Sequence, residues 1–407
     1  MDILVVASTV PAHADDAVPR FVLDEALALA AADPDVTVRI LAPHTPSSRS
    51  RPWPQEEGAD GRVTQDRFAY APRRFETLTA RGIMPAIRDR RAMALVVPLL
   101  VLGERRALRH ALRAQRPDVV HAHWFTPQAI VAAGVCGRAG VPFGFTTHAA
   151  DVAVLRRLGS LGRRIVQRVT GRAAFVTAVS RQTAERLLGF YRADLRGSVR
   201  GRIRIAPMGV NIPAVSSVAG DPHTVAVVAR LVEKKGIHVL LDAWPAVRAA
   251  VPDARLVIGG DGPMRSQLER AAAPLAGVEF RGYVTGDAKA ALEAEAGIVA
   301  APSVVAADGD VDGLPVAVLE GLARGAFVVA SDASGAQDLL AASPAGAVVR
   351  SGDSTALASA LIDAMRRGAT ELAESARPAR ELADSVSWDV LAPRTLERLR
   401  AVAGLPA

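Results

Sequence analysis

The chain has 407 residues, a formal net charge of +7 and 50% hydrophobic residues, of which few are aromatic. That is enough apolar mass for two cores built from Ala, Val, Leu and Ile. A single cysteine, Cys136, excludes an internal disulfide framework and fits a reducing cytosol; it reads as a small core residue. The charge is uneven: residues 1–211 carry 31 arginines and no lysine against 18 acids, whereas the remainder is net acidic. The basic half points to an anionic partner or an anionic membrane surface, with solvated helix faces as the alternative. Little aromatic interleaving and no recognisable module argue against nucleic acid.

Met1-Asp2-Ile3-Leu4-Val5-Val6-Ala7 lacks the positive flank and apolar length of a signal segment and reads as a first buried strand. A helix is expected over 20–32 and a strand over 36–41, and the Pro- and Ser-rich stretch 46–61 reads as a loop. Between Arg73 and Arg116 lie eleven arginines, among them Arg88, Arg90, Arg91, Arg105, Arg106, Arg109 and Arg113. The apolar run 92–102 inside this patch is too short to span a bilayer and contains Pro98. Strands at 119–122, 143–146, 175–179 and 203–206 alternate with helices at 105–114, 126–139, 161–170 and 181–188. Residues 212–222 read as a linker, placing domain boundaries at 1–211 and 212–387. Strands then follow at 224–228, 255–258, 278–280, 297–300, 327–330 and 347–349. Helices are expected at 238–250, 264–273, 288–294, 316–323 and 354–367, with a terminal helix over about 388–407. Strand–helix alternation predicts an α/β chain with parallel, doubly covered sheets.

Two segments of the second half carry the chemistry. Ala229-Arg230-Leu231-Val232-Glu233-Lys234-Lys235-Gly236 follows a buried strand and precedes a helix, so Arg230 and Lys235 are spaced to converge on a diphosphate. Asp312-Gly313-Leu314-Pro315-Val316 leads into a helix whose first-turn N–H groups suit a phosphate, with Glu320 further along to reach ribose hydroxyls. In open parallel sheets such loops, at the carboxyl ends of strands, are where ligands bind. Each segment alone also reads as a surface turn with solvated charges.

Taken together, these segments resemble the retaining glycosyltransferases of family 4, in a bacterial branch. The resemblance rests on the acids Asp312 and Glu320 separated by seven residues, on Arg230 and Lys235, and on Gly259-Gly260-Asp261-Gly262-Pro263 and Phe280-Arg281-Gly282-Tyr283-Val284. In the first half it extends through His121-Ala122-His123-Trp124, Thr147-His148 and Pro207-Met208-Gly209-Val210-Asn211. It implies the GT-B architecture: two Rossmann-like doubly wound domains facing a cleft, an acceptor domain first and a nucleotide-sugar domain second. The terminal helix would pack back on the first domain.

The resemblance assigns roles. Arg230 and Lys235 would neutralise the leaving diphosphate, and Asp312 would hold donor-sugar hydroxyls. Gly313, Leu314 and Val316 would offer backbone N–H groups to sugar or phosphate, Pro315 having none. Tyr283 and Val284 would frame the base, and Gly260 would allow close backbone approach, although its glycine run also reads as a plain turn. His148 would lie near the donor sugar, against a purely structural alternative. Asp16 would contact the acceptor or be an exposed loop acid. His121 and His123 have no third ligand at metal spacing and read as strand-end packing residues, so no metal is expected. No cofactor is expected beyond a UDP- or GDP-sugar substrate. The acceptor would be a carbohydrate, a lipid-linked saccharide or a small molecule, and the enzyme would be cytoplasmic, at most peripheral to a membrane. Two departures from the family stand out: Ser8-Thr9-Val10-Pro11 replaces a glycine-rich turn, and Ser331-Asp332-Ala333-Ser334-Gly335-Ala336-Gln337-Asp338 lacks paired glycines and ends in Asp. Rival readings are a non-catalytic nucleotide-sugar binder or scaffold, an epimerase or phosphorylase on the same fold, and a Rossmann dehydrogenase. The last lacks a full glycine fingerprint.

Overall fold

A computed structural model describes residues 1–13, 16, 18–48, 60–80, 82–213 and 220–406. Part of the loop expected over 46–61, most of the linker expected over 212–222, and Ala14, Asp15 and Ala17 lie outside the described residues. The chain divides into two compact units. One comprises Met1–Val179, Ala184–Ala206 and Trp388–Ala407, the other Ser180–Thr183 and Pro207–Ser387.

The first unit is built on seven parallel strands: β1 (Asp2–Val6), β2 (Thr37–Pro43), β3 (Val63–Phe68), β4 (Val119–His123), β5 (Phe143–Thr147), β6 (Phe175–Ala178) and β7 (Ile203–Ile205), in the order β3-β2-β1-β4-β5-β6-β7. The second has six: β8 (Asp221–Val228), β9 (Arg255–Gly259), β10 (Val278–Gly282), β11 (Ala296–Ala301), β12 (Phe327–Ser331) and β13 (Gly346–Val349), in the order β10-β9-β8-β11-β12-β13. Both are Rossmann-like doubly wound sheets. The central strands are buried on both faces because helices cover both sides: every residue of β4, β5, β11 and β12 is buried. The edge strand β3, absent from the sequence reading, is half polar and alternates buried with exposed residues over most of its length. An edge position permits Asp66 and Arg67 where a central strand would not.

On one face of the first sheet the Phe21–Ala32 helix and the Trp388–Ala403 helix share a core of Val22, Leu23, Leu29, Leu396 and Leu399. In the second unit the largest buried side chain, Trp244, is wholly enclosed and its Nε1–H donates to the Ala276 carbonyl at 2.9 Å. The order of strands reverses between β1 and β4 and between β8 and β11. These switch points are where such sheets open a crevice at their carboxyl edges. The Arg230 loop follows β8 and the Asp312 segment follows β11, so both line the second of them.

Two glycines set how closely the loops approach there. Gly236 has φ +65°, and a Cβ on it would stand 1.8 Å from the Pro302 carbonyl oxygen; Gly260 has φ +143°, and its Cβ would stand 1.9 Å from the Ala229 carbonyl oxygen. We predict that Gly236→Ala lowers unfolding stability in urea by about 2 kcal/mol or more. Gly137→Ala, in a helix where a Cβ meets nothing within 4 Å, should instead raise it by about 0.5–1 kcal/mol. Equal effects at the two positions would contradict the close-approach argument.

Candidate functional site

The Arg230 loop is pinned from both sides by backbone. Ala229 N–H donates to the Gly259 carbonyl at 3.0 Å, Leu231 N–H to the Asp261 carbonyl at 3.0 Å, and Met264 N–H to the Leu231 carbonyl at 3.1 Å. The glycine run after β9 therefore serves the neighbouring loop: Gly260 lets the two backbones touch, and its N–H donates to the Gly282 carbonyl at 2.6 Å. Beyond Gly282, Tyr283 is exposed, and Val284 packs toward Gly259 and the Ala226–Val257 cluster.

Asp312 is buried and heavily compensated. Its Oδ2 accepts from Ser303 Oγ at 2.8 Å and lies 2.9 Å from Lys235 Nζ, while Oδ1 lies 3.6 Å from Lys234 Nζ. Burial alone would raise its pKa. The Lys235 and Lys234 ammonium groups and the hydrogen bonds outweigh that and hold the carboxyl below the usual range. Lys234 also reaches Asp310 at 3.3 Å. Lys235 and Asp312, proposed from separate segments, thus form one ion pair, and Lys234 joins it.

The helix expected after Pro315 runs Val316–Arg324, with Pro315 at its N-cap. Gly313, just before it, accepts at its carbonyl from Gly335 N–H at 2.6 Å, so the loop without paired glycines still braces the motif. Glu320 on this helix is ion-paired with Lys289, which also lies 3.7 Å from Glu293; Glu293 in turn pairs with Arg324. Lys289 and Glu293 were not singled out from the sequence. Composition held a signal: lysine occurs only at 234, 235 and 289, and all three meet an acid of the Asp312–Glu320 motif.

In the first unit, His148 follows β5. It is half-buried, with ring centroids 4.9 Å from Trp124 and 5.3 Å from Phe21. Asp151 fixes its backbone, accepting from His148 N–H at 3.1 Å, Thr147 Oγ1 at 2.8 Å and Phe125 N–H at 2.6 Å. Burial raises the Asp151 pKa against these bonds. Trp124 (φ +72°) and Ala149 (φ +90°) flank His148 in backbone regions that L-residues seldom occupy. Such strain concentrates at ligand sites. Asp16 Oδ2 accepts from Ala12 N–H at 2.8 Å and Ser47 Oγ at 2.9 Å, so this acid braces its own loop. His121 and His123 are buried in β4, but the expectation that no third ligand-type group stands beside them requires correction. Glu25, from the Phe21–Ala32 helix, stands 3.4 Å from His121 Nδ1 and 3.4 Å from His123 Nε2, a carboxylate that spacing along the chain gave no means of finding.

Residues 18–213 match the family described as Glycosyltransferase Family 4, and residues 222–367 match Glycosyl transferases group 1. The chain belongs to glycosyltransferase family 4. Among relatives, WcaL of Escherichia coli, a glycosyltransferase assigned to colanic acid biosynthesis, is 29% identical over 250 residues, covering 54% of this chain and 61% of WcaL. A GDP-mannose-dependent alpha-(1-6)-phosphatidylinositol dimannoside mannosyltransferase of Mycobacterium tuberculosis is 29% identical over 250 residues, covering 58% of this chain and 62% of its own. The chain thus spans about three fifths of each relative. Among solved structures, Anabaena HepE in complex with UDP superposes with a TM-score of 0.66 at 18% identity, covering 98% of this chain and 100% of HepE, a likeness of fold.

The acid pair at the Glu320 helix carries a pH signature. Burial, then the Glu320 charge, pushes Glu293 up to about 7 from an ordinary 4.5. The folded unit therefore holds a proton that the unfolded chain has lost. The stability this contributes is complete below about 4.5 and disappears as pH rises through 7. We expect Glu293→Gln to lessen the fall in Tm between pH 5 and pH 8 relative to the wild type. Identical slopes in the two proteins would remove Glu293 from this account.

Proposed function

We propose that the protein is a retaining glycosyltransferase that moves a sugar from a nucleoside diphosphate sugar to a saccharide or lipid-linked acceptor, with no metal at the donor site. The observation that carries this reading is the convergence of Lys234 and Lys235 with Asp312 at the switch point between β8 and β11. Fixed positive charge at a strand's carboxyl edge, beside a helix N-terminus, is what a departing diphosphate requires.

In this reading Arg230 and Lys235 take the diphosphate, and Lys235 shares its ammonium between Asp312 and a phosphate oxygen. Asp312 and the backbone of Gly313, Leu314 and Val316 hold the sugar. Glu320, presented by Lys289, accepts from the ribose, and Tyr283 and Val284 frame the base. Chemistry follows from charge balance. The anomeric carbon–oxygen bond to the diphosphate breaks, the acceptor oxygen bonds to that carbon from the same face, and the acceptor's proton passes to the leaving phosphate oxygen. The paired cations and hydrogen bonds keep Asp312 ionised against its burial, which suits a hydroxyl-holding group rather than a proton donor. UDP and GDP are the candidate nucleotides: the mycobacterial relative uses GDP-mannose, and HepE was crystallised with UDP.

Calorimetric titration with UDP, GDP and their sugars tests the donor site. One diphosphate should bind with EDTA present, and Arg230→Ala or Lys235→Ala should weaken it by about tenfold or more. Failure of every nucleotide to bind would defeat the reading, and binding without sugar transfer to any acceptor would leave a nucleotide-sugar binder.

The acceptor side carries a surface suited to anionic lipid. Leu95, Leu99 and Leu102 are exposed at helical spacing, Leu95 to 79%, and Arg88, Arg90, Arg91 and Arg106 are exposed around them. Among the described residues no helix is long and apolar enough to cross a membrane. We propose peripheral, cytoplasmic-face attachment through this patch. Vesicles containing phosphatidylglycerol should sediment the protein at low salt and release it at high salt, and Leu95→Asp with Leu99→Asp should cut binding severalfold. Indifference to both salt and the double substitution would argue against attachment here.

A further inference from the structure

We propose that Glu25 is a neutral carboxylic acid that fixes the tautomers of His121, His123 and His148, leaving His148 Nδ1 as a bare hydrogen-bond acceptor. The argument is proton counting along one chain of contacts in the first unit. The Phe145 carbonyl can only accept, and Thr177 Oγ1 donates to it at 3.2 Å. Thr177 has no second proton, so in its 2.6 Å contact with Thr146 Oγ1 it must accept. Thr146 has then spent its own proton, and in its 2.8 Å contact with His121 Nε2 it accepts in turn. His121 therefore carries its proton on Nε2 and presents a bare Nδ1 to Glu25 Oε1, 3.4 Å away.

Two bare lone pairs facing each other in a buried site repel, and His121 Nδ1 has no other partner. A proton on Glu25 Oε1 resolves this. The remaining oxygen, Oε2, lies 3.4 Å from His123 Nε2, a second buried ring nitrogen without a hydrogen-bond partner, and a proton on that nitrogen avoids a second clash of lone pairs. His123 Nδ1 is left bare and accepts from His148 Nε2–H at 3.3 Å. Every proton in the chain is placed, and the direction set at the Phe145 carbonyl reaches the half-buried ring of His148.

The electrostatics agree. Burial pushes the Glu25 carboxyl up to about 8, against the opposing guanidinium of Arg398 on the Trp388–Ala403 helix. Burial holds His123 down at about 3 and lowers His121 and His148 as well, so the three imidazoles are neutral. A divalent cation among Glu25, His121 and His123 would also satisfy the bare nitrogen. It would require a bare His123 Nε2, a proton on His123 Nδ1 and, through the same contact, the opposite tautomer at His148. The Arg398 charge facing Glu25 and His121 opposes that arrangement.

For function, Glu25 and His123 are positioning residues. His148 Nδ1 is left to accept a hydrogen bond from a saccharide hydroxyl and has no proton to offer a phosphate. This last role rests on the glycosyltransferase reading; the tautomers do not.

Long-range proton–nitrogen NMR on the full chain with ring-labelled histidine at pH 7 reads the tautomers directly, each ring assigned by its own single substitution. His121, His123 and His148 should all show Nε2–H with bare Nδ1. Glu25→Gln, whose amide can donate to His121 and accept from His123, should keep that pattern. Glu25→Leu should leave His148 exchanging between tautomers. An Nδ1–H form at His121 or His148 in the wild type, loss of the pattern in Glu25→Gln, or one equivalent of zinc in the purified protein would overturn the proposal. If the tautomers are as stated but no nucleotide binds, the glycosyltransferase reading fails together with the hydroxyl role of His148.

Discussion

The second unit is organised around one costly group, the buried carboxylate of Asp312. An ionised acid out of water must be compensated by charge and hydrogen bonds, or it takes up a proton. Compensation here comes from Ser303 just after β11 and from Lys234 and Lys235 in the loop after β8. That requirement draws the lysine segment onto the segment that leads to Asp312. Val304 N–H donates to the Lys234 carbonyl at 2.8 Å, and Ala307 N–H to Glu233 Oε1 at 3.1 Å. Gly236 removes the Cβ that would keep the backbones apart. The cation that would meet a diphosphate is thus held in place by the acid that would meet the sugar.

The first unit handles buried polar groups in the opposite way. Glu25, His121, His123 and His148 are pushed by burial toward their uncharged forms, although the Arg398 guanidinium favours the charged form of Glu25. One unit therefore presents fixed charges, which bind charge, and the other fixed neutral dipoles, which orient hydroxyls.

Much of this was legible in the sequence because it depends on local order. Apolar runs marked the central strands, and the spacing of Arg230, Lys235, Asp312 and Glu320 placed them at strand ends. What escaped depends on contacts across the sheet. Glu25 sits nearly a hundred residues before His121 in an ordinary amphipathic helix, and nothing along the chain joins them. Lys289 and Glu293 lie on a helix with no motif of its own, and only the scarcity of lysine singled out Lys289. The β3 strand was missed because its charged side chains suit an edge. The helix Gly368–Ser385 contains Pro378, and its buried stripe, Leu372, Ala376, Ala379 and Ala383, is mostly alanine, so it escaped the sequence reading. The strained backbone at Trp124 and Ala149 leaves no trace in residue type.

The packing of the Trp388–Ala403 helix against the Phe21–Ala32 helix has a consequence for synthesis. The first unit cannot complete that face of its core until the whole of Pro207–Ser387 has been made. At typical elongation rates this delay is on the order of 10–40 s. Throughout it, Val22, Leu23 and Leu29 lack the helix that covers them in the folded chain. The nascent N-terminal half is therefore a natural client for chaperones, and ribosome stalling in the second half should expose it to aggregation more than release of the finished chain would.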